Sequence, residues 1–192
     1  MKNKTPDFAY HMTKFFTEYL PIQRNLSPNS IATYRDTFRL LLLFYDTEKH
    51  IKPNLLTLDM LNVQQIEDFM LWLKKERNCG ASTCNQRLGA LKSFFRYLQF
   101  ALPDCALQCQ ENLAIRPMKQ PEPGLKYLTI DGIKLLLEQP DIKTKYGRRD
   151  LAILSLMYDT GARVQEIADI KIVHIRFSTP ATIRITLSLI HI

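Results

Sequence analysis

The sequence has no apolar run long enough to cross a membrane and no apolar leader. Its longest uninterrupted apolar runs, such as LLLLFY at 40–45, fall far short of the roughly 18 residues that a membrane span needs, and MKNKTPDFAYHM at the N-terminus has no apolar core. Its four cysteines, spaced CxxxxC and CxxxC, match neither a common zinc pattern nor a secreted disulfide framework. We therefore expect a cytoplasmic protein with reduced thiols, no membrane segment and no metal site.

Acidic residues are the scarcer charge. The 192 residues contain 19 Asp and Glu against 26 Lys and Arg, which gives a net charge of +7. Up to Leu102 there are 14 basic and 9 acidic residues, and after it 12 and 10, so most of the excess lies in the first half. This balance favours a polyanionic partner, bound mainly by the first half.

The first half reads as four amphipathic helices. Pro21 is expected to end the first helix, Ser27 and Asn62 to cap the second and third, Gly80 to end the third in a left-handed turn, and Ser82 to cap the fourth. Apolar residues recur at helical spacing and predict one core. They include Phe15, Phe38, Leu41, Tyr45, Ile66, Phe69, Leu73, Leu88, Leu91, Phe94 and Leu98.

The second half changes character after a proline-rich stretch. Residues 103–126 are predicted to be a linker, although 105–113 could hold a short helix. Thr129 is expected to cap the next helix, and Gly161 to end an apolar helix over 149–159 whose residues Leu151, Leu154, Met157 and Tyr158 face the core. HIRFS and TIRITL predict a β-hairpin. The expected organisation is therefore a helical domain over 1–102, the linker, and a second domain over 127–192.

Four polar residues of the fourth helix, Asn85, Arg87, Lys92 and Arg96, stand off its apolar face. They can form an ordinary solvated surface or a polyanion-binding face, and the helix alone leaves both interpretations open.

Arg163 follows the Gly161 turn and is expected in the first turn of the next helix, where the helix dipole disfavours a cation unless an anion is bound. One interpretation is a surface pair with Glu166 three residues on, worth a few tenths of a kcal/mol. The other is a phosphate clamp, in which the planar guanidinium binds an anion and Glu166 holds it in place.

The segment RRDLAILSLMYDTGARVQEIADIKIVHI resembles the first conserved box of the tyrosine recombinases, the phage-integrase-type site-specific recombinases. SPNSIATYRDTFRLLLLFY, LTLDMLNVQQIEDFMLWL and STCNQRLGALKSFFRYL are similar to helices of that family's N-terminal core-binding domain. The resemblance implies a mainly α protein: a four-helix, SAM-like core-binding domain followed by the start of an α+β catalytic domain. It also implies a clamp on double-stranded DNA, assembly as a tetramer on that DNA, and DNA contacts from Arg35, Asn85, Arg87, Lys92 and Arg96.

The family's reaction is attack of a tyrosine on a DNA phosphodiester, which forms a 3′-phosphotyrosyl enzyme without a metal or nucleotide cofactor. By the resemblance, Arg163 matches the first catalytic arginine, which binds a non-bridging phosphate oxygen, and Glu166 matches the acid that orients groups in the same box. The resemblance therefore assigns Arg163 and Glu166 to the active site of a DNA-cleaving and rejoining enzyme.

The sequence departs from the family pattern after Arg163. No tyrosine follows Tyr158, no lysine follows Lys171, and neither His174 nor His191 has an arginine three positions on. His174 stands where many relatives carry Asp, which favours a structural role for it. We therefore expect a C-terminally truncated recombinase that alone neither cleaves nor joins DNA.

The sequence leaves two alternatives to a recombinase open. The chain could be a non-catalytic DNA-binding module that occupies recombination sites, or a helical protein-interaction domain whose basic charge is incidental. Salt-dependent DNA binding separates the second alternative from the others.

Overall fold

The computed structural model describes residues 7–120, 124 and 127–186, and its elements are almost all helical. In chain order they are α1 (Phe8–Lys14), which continues as a π-helix (Phe15–Gln23), α2 (Pro28–Glu48), two 3₁₀ turns (Pro53–Leu55 and Leu58–Met60), α3 (Val63–Lys75), α4 (Ala81–Ala101), a 3₁₀ turn (Pro103–Cys105), α5 (Ala106–Ala114), α6 (Ile130–Glu138), α7 (Lys145–Thr160), α8 (Val164–Ala168), a 3₁₀ turn (Ile172–His174), β1 (Ile175–Arg176) and β2 (Thr182–Ile183).

The chain forms two compact units, residues 1–122 and 123–192. In the described residues the first unit is helical, and the second holds three helices and one antiparallel hairpin of β1 and β2. The predicted mainly α fold class is confirmed. No helix in the described ranges is long and apolar enough to cross a membrane.

Several helix ends follow the local sequence signals. The side chain of Ser27 accepts from the Ser30 N–H at 3.3 Å, and that of Asn62 accepts from the Gln65 N–H at 3.0 Å. Thr129 caps α6 in the same way, through the Gly132 N–H at 3.1 Å. Gly161 ends α7 with φ 63°, in the left-handed region that glycine adopts without a steric cost. At these four positions the capping predictions are confirmed.

Two predicted helix ends are wrong. The first helix does not stop at Pro21 but passes through it as a π-helix, whose i to i+5 bonding makes a wider turn than the α-helix that a proline ring disrupts. Gly80 does not end α3. It is the N-cap of α4, with φ −65°, while Asn78 takes the left-handed conformation at φ 50° and Ser82 lies inside the helix.

The core of the first unit is a cluster of aromatic rings between α1, its π-helical extension, α2 and α4. Phe94 lies at its centre, with its ring 5.1 Å from Phe15, 5.2 Å from Phe38 and 5.9 Å from Phe8, each in an edge-to-face arrangement. All four side chains are at most 2% exposed. Such pairs add about 0.5–1.5 kcal/mol each beyond the burial of apolar surface, so this cluster fixes how the helices pack.

The beginning of the expected linker is part of the first unit. Pro103 starts a 3₁₀ turn, where its missing N–H costs nothing, and residues 106–114, which contain no proline or glycine, form α5. Asn112 is fully buried and donates to the Leu61 carbonyl at 2.8 Å, and Gln108 donates to the Leu58 carbonyl at 2.9 Å. These two amides tie α5 to the turn before α3, so the segment from 103 to 114 is not an extended linker.

The second unit buries few of its apolar side chains. Leu151, Leu154 and Met157 are partly buried, whereas Tyr158 is 57% exposed, so the prediction that Tyr158 faces the core is wrong. The buried hydrophobic side chains in the described part of this unit are Ala162 and Ile167. They lie just before α8 and within it, close in sequence to Arg163.

Candidate functional site

Arg163 is the N-cap residue of α8, one position earlier than the first helical turn expected from the sequence. The Gly161 N–H donates to the Met157 carbonyl at 2.9 Å and ends α7. The chain then turns through Ala162, which is 5% exposed, into Arg163 with extended dihedral angles (φ −70°, ψ 152°). The left-handed glycine and the buried alanine thus fix where Arg163 begins α8.

Glu166 holds Arg163 at two points. Its Oε2 accepts from the backbone N–H of Arg163 at 2.8 Å, and its Oε1 lies 3.1 Å from Arg163 Nη1. The Glu166 side chain is 7% exposed, whereas that of Arg163 is 66% exposed. The buried acid therefore acts as an anchor that fixes a largely solvent-facing guanidinium.

Arg163 lines a cleft of about 470 Å³ together with His174 and Arg184. The hairpin brings the last two together, because the Arg184 N–H donates to the His174 carbonyl at 2.9 Å. His174 Nδ1 in turn accepts from the Lys171 N–H at 3.2 Å. This bond fits the structural role expected for His174, and it also places the residue at the site.

Sequence reasoning missed Arg184. The alternation in TIRIT could have found it, because residues two apart on a strand share a face and Arg184 therefore lies on the same side as Thr182 and Thr186. What the sequence alone does not give is the register, which puts Arg184 opposite His174.

Two of the residues expected to contact DNA, Asn85 and Lys92, form hydrogen bonds with the chain's own backbone. The Asn85 amide donates to the Met118 carbonyl at 2.8 Å and accepts from the Met118 N–H at 2.7 Å. Lys92 Nζ donates to the Ile115 carbonyl at 2.6 Å, and partial burial, with Arg96 nearby, lowers the pKa of Lys92. Both side chains thus fasten the segment that follows α5 onto α4.

The two arginines of α4 do not share a face. Arg87 and Arg96 are separated by about two and a half turns at 3.6 residues per turn, which places them on opposite sides of the helix. Arg96 is exposed, whereas Arg87 is partly buried and its Nε is shielded without a partner among the described residues. Arg35 is exposed on α2. Of the five residues predicted to contact DNA, Arg35 and Arg96 have exposed side chains.

The chain is similar in sequence to phage integrases and tyrosine recombinases. The sequence model described as "Phage integrase, N-terminal SAM-like domain" matches residues 14–100, which run from the end of α1 through α4. The Sinorhizobium fredii protein named "Putative integrase/recombinase y4rC" is 35% identical over 182 residues, covering 95% of this chain and 55% of the relative. Tyrosine recombinase XerD of Listeria innocua is 30% identical over 156 residues, covering 81% of this chain and 50% of the relative.

The chain belongs to the tyrosine recombinase family. It spans about half the length of the curated relatives that it matches. The alignment with the first relative covers almost all of this chain, so the likeness extends beyond the SAM-like region into the second unit.

The described residues of this tyrosine recombinase chain bring together no three His, Cys, Asp or Glu side chains that could hold a metal ion. Its four cysteines are free thiols. Burial, with a contribution from Cys105, raises the pKa of the Cys109 thiol to about 11. Cys109 therefore belongs to the packed core of the first unit.

Proposed function

We propose that this chain binds duplex DNA and takes part in site-specific recombination, in which the whole protein cleaves and rejoins DNA strands through a 3′-phosphotyrosine intermediate. Its membership of the tyrosine recombinase family supports the reaction. The observation that carries the proposal for this chain is the guanidinium of Arg163, which is largely exposed while a buried glutamate fixes its position.

In this proposal Arg163 binds a non-bridging oxygen of the scissile phosphate. Negative charge builds up on that oxygen as the phosphorus becomes five-coordinate, and a guanidinium placed there beforehand stabilises the transition state more than the ground state. Glu166 is a positioning residue, because its carboxylate holds both the backbone and the side chain of Arg163. Loss of such a donor commonly costs about 2.7–4 kcal/mol of transition-state stabilisation.

The first unit supplies DNA affinity through exposed arginines. Arg35 on α2 and Arg96 on α4 contact backbone phosphates, and Arg87 contributes less because it is partly buried on the other side of α4. Asn85 and Lys92 support the surface indirectly by holding residues 115–118 against α4. In the whole protein the same contacts serve a tetramer assembled on DNA.

A non-catalytic DNA-binding role is the second candidate, and one observation favours it. The match to the SAM-like domain covers residues 14–100, which all lie in the first unit and do not include Arg163. A nicked duplex that traps covalent protein–DNA adducts distinguishes the two candidates. An adduct formed by this chain contradicts the second candidate, and binding without an adduct supports it.

The DNA-binding proposal is tested by the salt dependence of affinity. The anisotropy of a labelled duplex should give a Kd whose logarithm rises linearly with the logarithm of the salt concentration. Arg163→Gln should lower the slope by about 1, since one phosphate contact is lost. Arg149→Gln is the matched control in the same unit, because Arg149 is exposed and already paired with Asp150 at 2.6 Å. Binding that ignores salt, or an Arg163→Gln slope equal to that of wild type, contradicts the proposal.

A further inference from the structure

The hairpin of the second unit has one polar face. Ile175 pairs with Ile183 and Arg176 with Thr182, and the Arg184 N–H bonds to the His174 carbonyl one step further along. Residues directly opposite each other, and residues two apart on a strand, share a face. Arg176 and Thr182 therefore share a face of the hairpin, and His174 and Arg184, which flank the strands, line the same cleft as these two residues.

The polar face is cationic. Arg176 and Arg184 are both exposed and stand diagonally across the two strands, a separation of about 7–8 Å. Thr182 adds a hydroxyl donor beside them. A face with two guanidinium groups suits an extended anion.

His174 contributes a donor. Its Nδ1 accepts from the Lys171 N–H, so Nε2 is the ring nitrogen that is left to donate to a ligand. His174 thus offers an N–H donor beside the arginines.

Two adjoining clefts meet at this face. The first, of about 470 Å³, contains Arg163, and the second, of about 380 Å³, contains Arg176; His174 and Arg184 line both. Among the residues that the structure describes, no Asp or Glu lines the second cleft. In the first, Glu166 holds Arg163 and Asp169 accepts from the Gln165 amide at 3.0 Å. Across the joined clefts the three arginines outnumber the two carboxylates, Glu166 and Asp169, so the lining has a net positive charge.

We propose that the hairpin face is a second phosphate site, which binds the phosphate next to the one at Arg163 on the same DNA strand. Arg176 and Arg184 bind this second phosphate, and His174 Nε2 donates to the strand where the two clefts meet. The inference rests on the proposed function, since it takes the phosphate at Arg163 as its neighbour. It goes beyond that function because the hairpin would fix which phosphate of the DNA strand lies at Arg163.

The chemistry favours a phosphodiester strand over a single phosphate. A single phosphate would occupy the Arg163 cleft and leave the second cleft and Arg176 unused. The guanidinium fork matches two phosphate oxygens at once, so arginines at both clefts suit a ligand that repeats its phosphate at a fixed spacing.

The test measures DNA affinity against salt for Arg176→Gln, Arg184→Gln and the double variant, using the full chain and a labelled duplex. The double substitution should lower the slope of log Kd against log salt by about 1, because the contact with one phosphate is lost, and each single substitution should lower it by a smaller amount. Arg149→Gln should leave the slope unchanged. Arg184→Lys should keep the slope, because it keeps the charge, and this result would show that Arg184→Gln acts through charge rather than through misfolding.

The outcomes separate the two proposals. If Arg163→Gln lowers the slope while both hairpin variants behave like Arg149→Gln, the second phosphate site is wrong and the proposed function stands. If Arg163→Gln also behaves like the control, the proposed function fails first. If Arg184→Lys lowers the slope as much as Arg184→Gln, the charge contact is contradicted.

Discussion

The two units of this chain differ in how completely they bury their apolar side chains. In the first unit Phe8, Phe15, Phe38 and Phe94 are at most 2% exposed and touch one another. In the second, Ile172 and Phe177 are 84% and 85% exposed. The first unit is held by apolar burial, whereas α8 in the second is held largely by the Arg163–Glu166 pair and a short buried stretch. The candidate catalytic arginine thus lies in the unit with the weaker core.

This difference bears on function through local stability. Regions with few buried apolar contacts open at low free energy, and elements that rearrange around a ligand come from such regions. In the second unit a bound phosphate would therefore supply part of the stabilisation that apolar packing supplies in the first, by binding the folded state preferentially.

The largest expected effect comes from the aromatic core. Phe94→Ala should destabilise the first unit by about 3–5 kcal/mol, because it removes a buried ring and leaves a cavity. Leu154→Ala in the partly buried α7 should cost no more than about 1 kcal/mol. Urea unfolding of both variants measures the difference, and equal losses would show that the two units are packed alike.

The next effect concerns the anchor of Arg163. Glu166→Ala should destabilise α8 by about 1–2 kcal/mol, since it removes the acceptor of the Arg163 N–H and a partner of its guanidinium. Hydrogen exchange of the α8 amides measures it. Gln165→Ala, on the exposed side of the same helix, is the control and should change exchange by less than about 0.5 kcal/mol. If both variants exchange alike, Glu166 is not the anchor.

A smaller, local effect is expected where Asn85 of α4 binds the backbone of Met118. Asn85→Ala should speed the exchange of the Met118 amide by about tenfold, the equivalent of about 1 kcal/mol, because that N–H loses its acceptor. Gln86→Ala on the exposed face should not. Strong loss of DNA affinity in Asn85→Ala with unchanged Met118 exchange would instead favour the direct DNA contact expected from the sequence.

The last prediction concerns the pH dependence of stability and the solvent access of Cys109 in the core of the first unit. Burial raises the pKa of Cys109 from 9.0 to about 11, so the folded state favours the neutral thiol. Its contribution to stability is fully present below about pH 9 and is lost as the pH rises from about 9 towards 11. At pH 8, alkylation followed by mass spectrometry should label Cys79, which is partly exposed, well before Cys109. Equal labelling rates would contradict a tightly packed α5.

The local parts of this structure were predictable, and the long-range parts were not. Ser27, Asn62 and Gly161 act through residues at most four positions away, so their sequence neighbourhood is sufficient. Asn85 and Met118 are 33 positions apart, and nothing near Asn85 distinguishes an amide that binds DNA from one that binds a distant backbone. Pro21 shows the same limit, because tertiary packing overrides the usual helix-breaking preference.

The candidate site also contains residues that the sequence predicts and one that only the fold reveals. The resemblance identified Arg163 and Glu166, and the structure adds that the acid is buried and holds the arginine at two points. Arg184 depends on strand register, which the two short strands do not encode strongly. Its place beside Arg163 emerges only once the hairpin is formed.

The most direct test of the account is hydrogen exchange of the full chain with and without a duplex at low salt. We predict protection at exposed positions of α4 around Arg96 and, in the second unit, over residues 161–170 and the hairpin, with Arg163→Gln losing the protection at 161–170 alone. Protection confined to the first unit would contradict a phosphate site at Arg163.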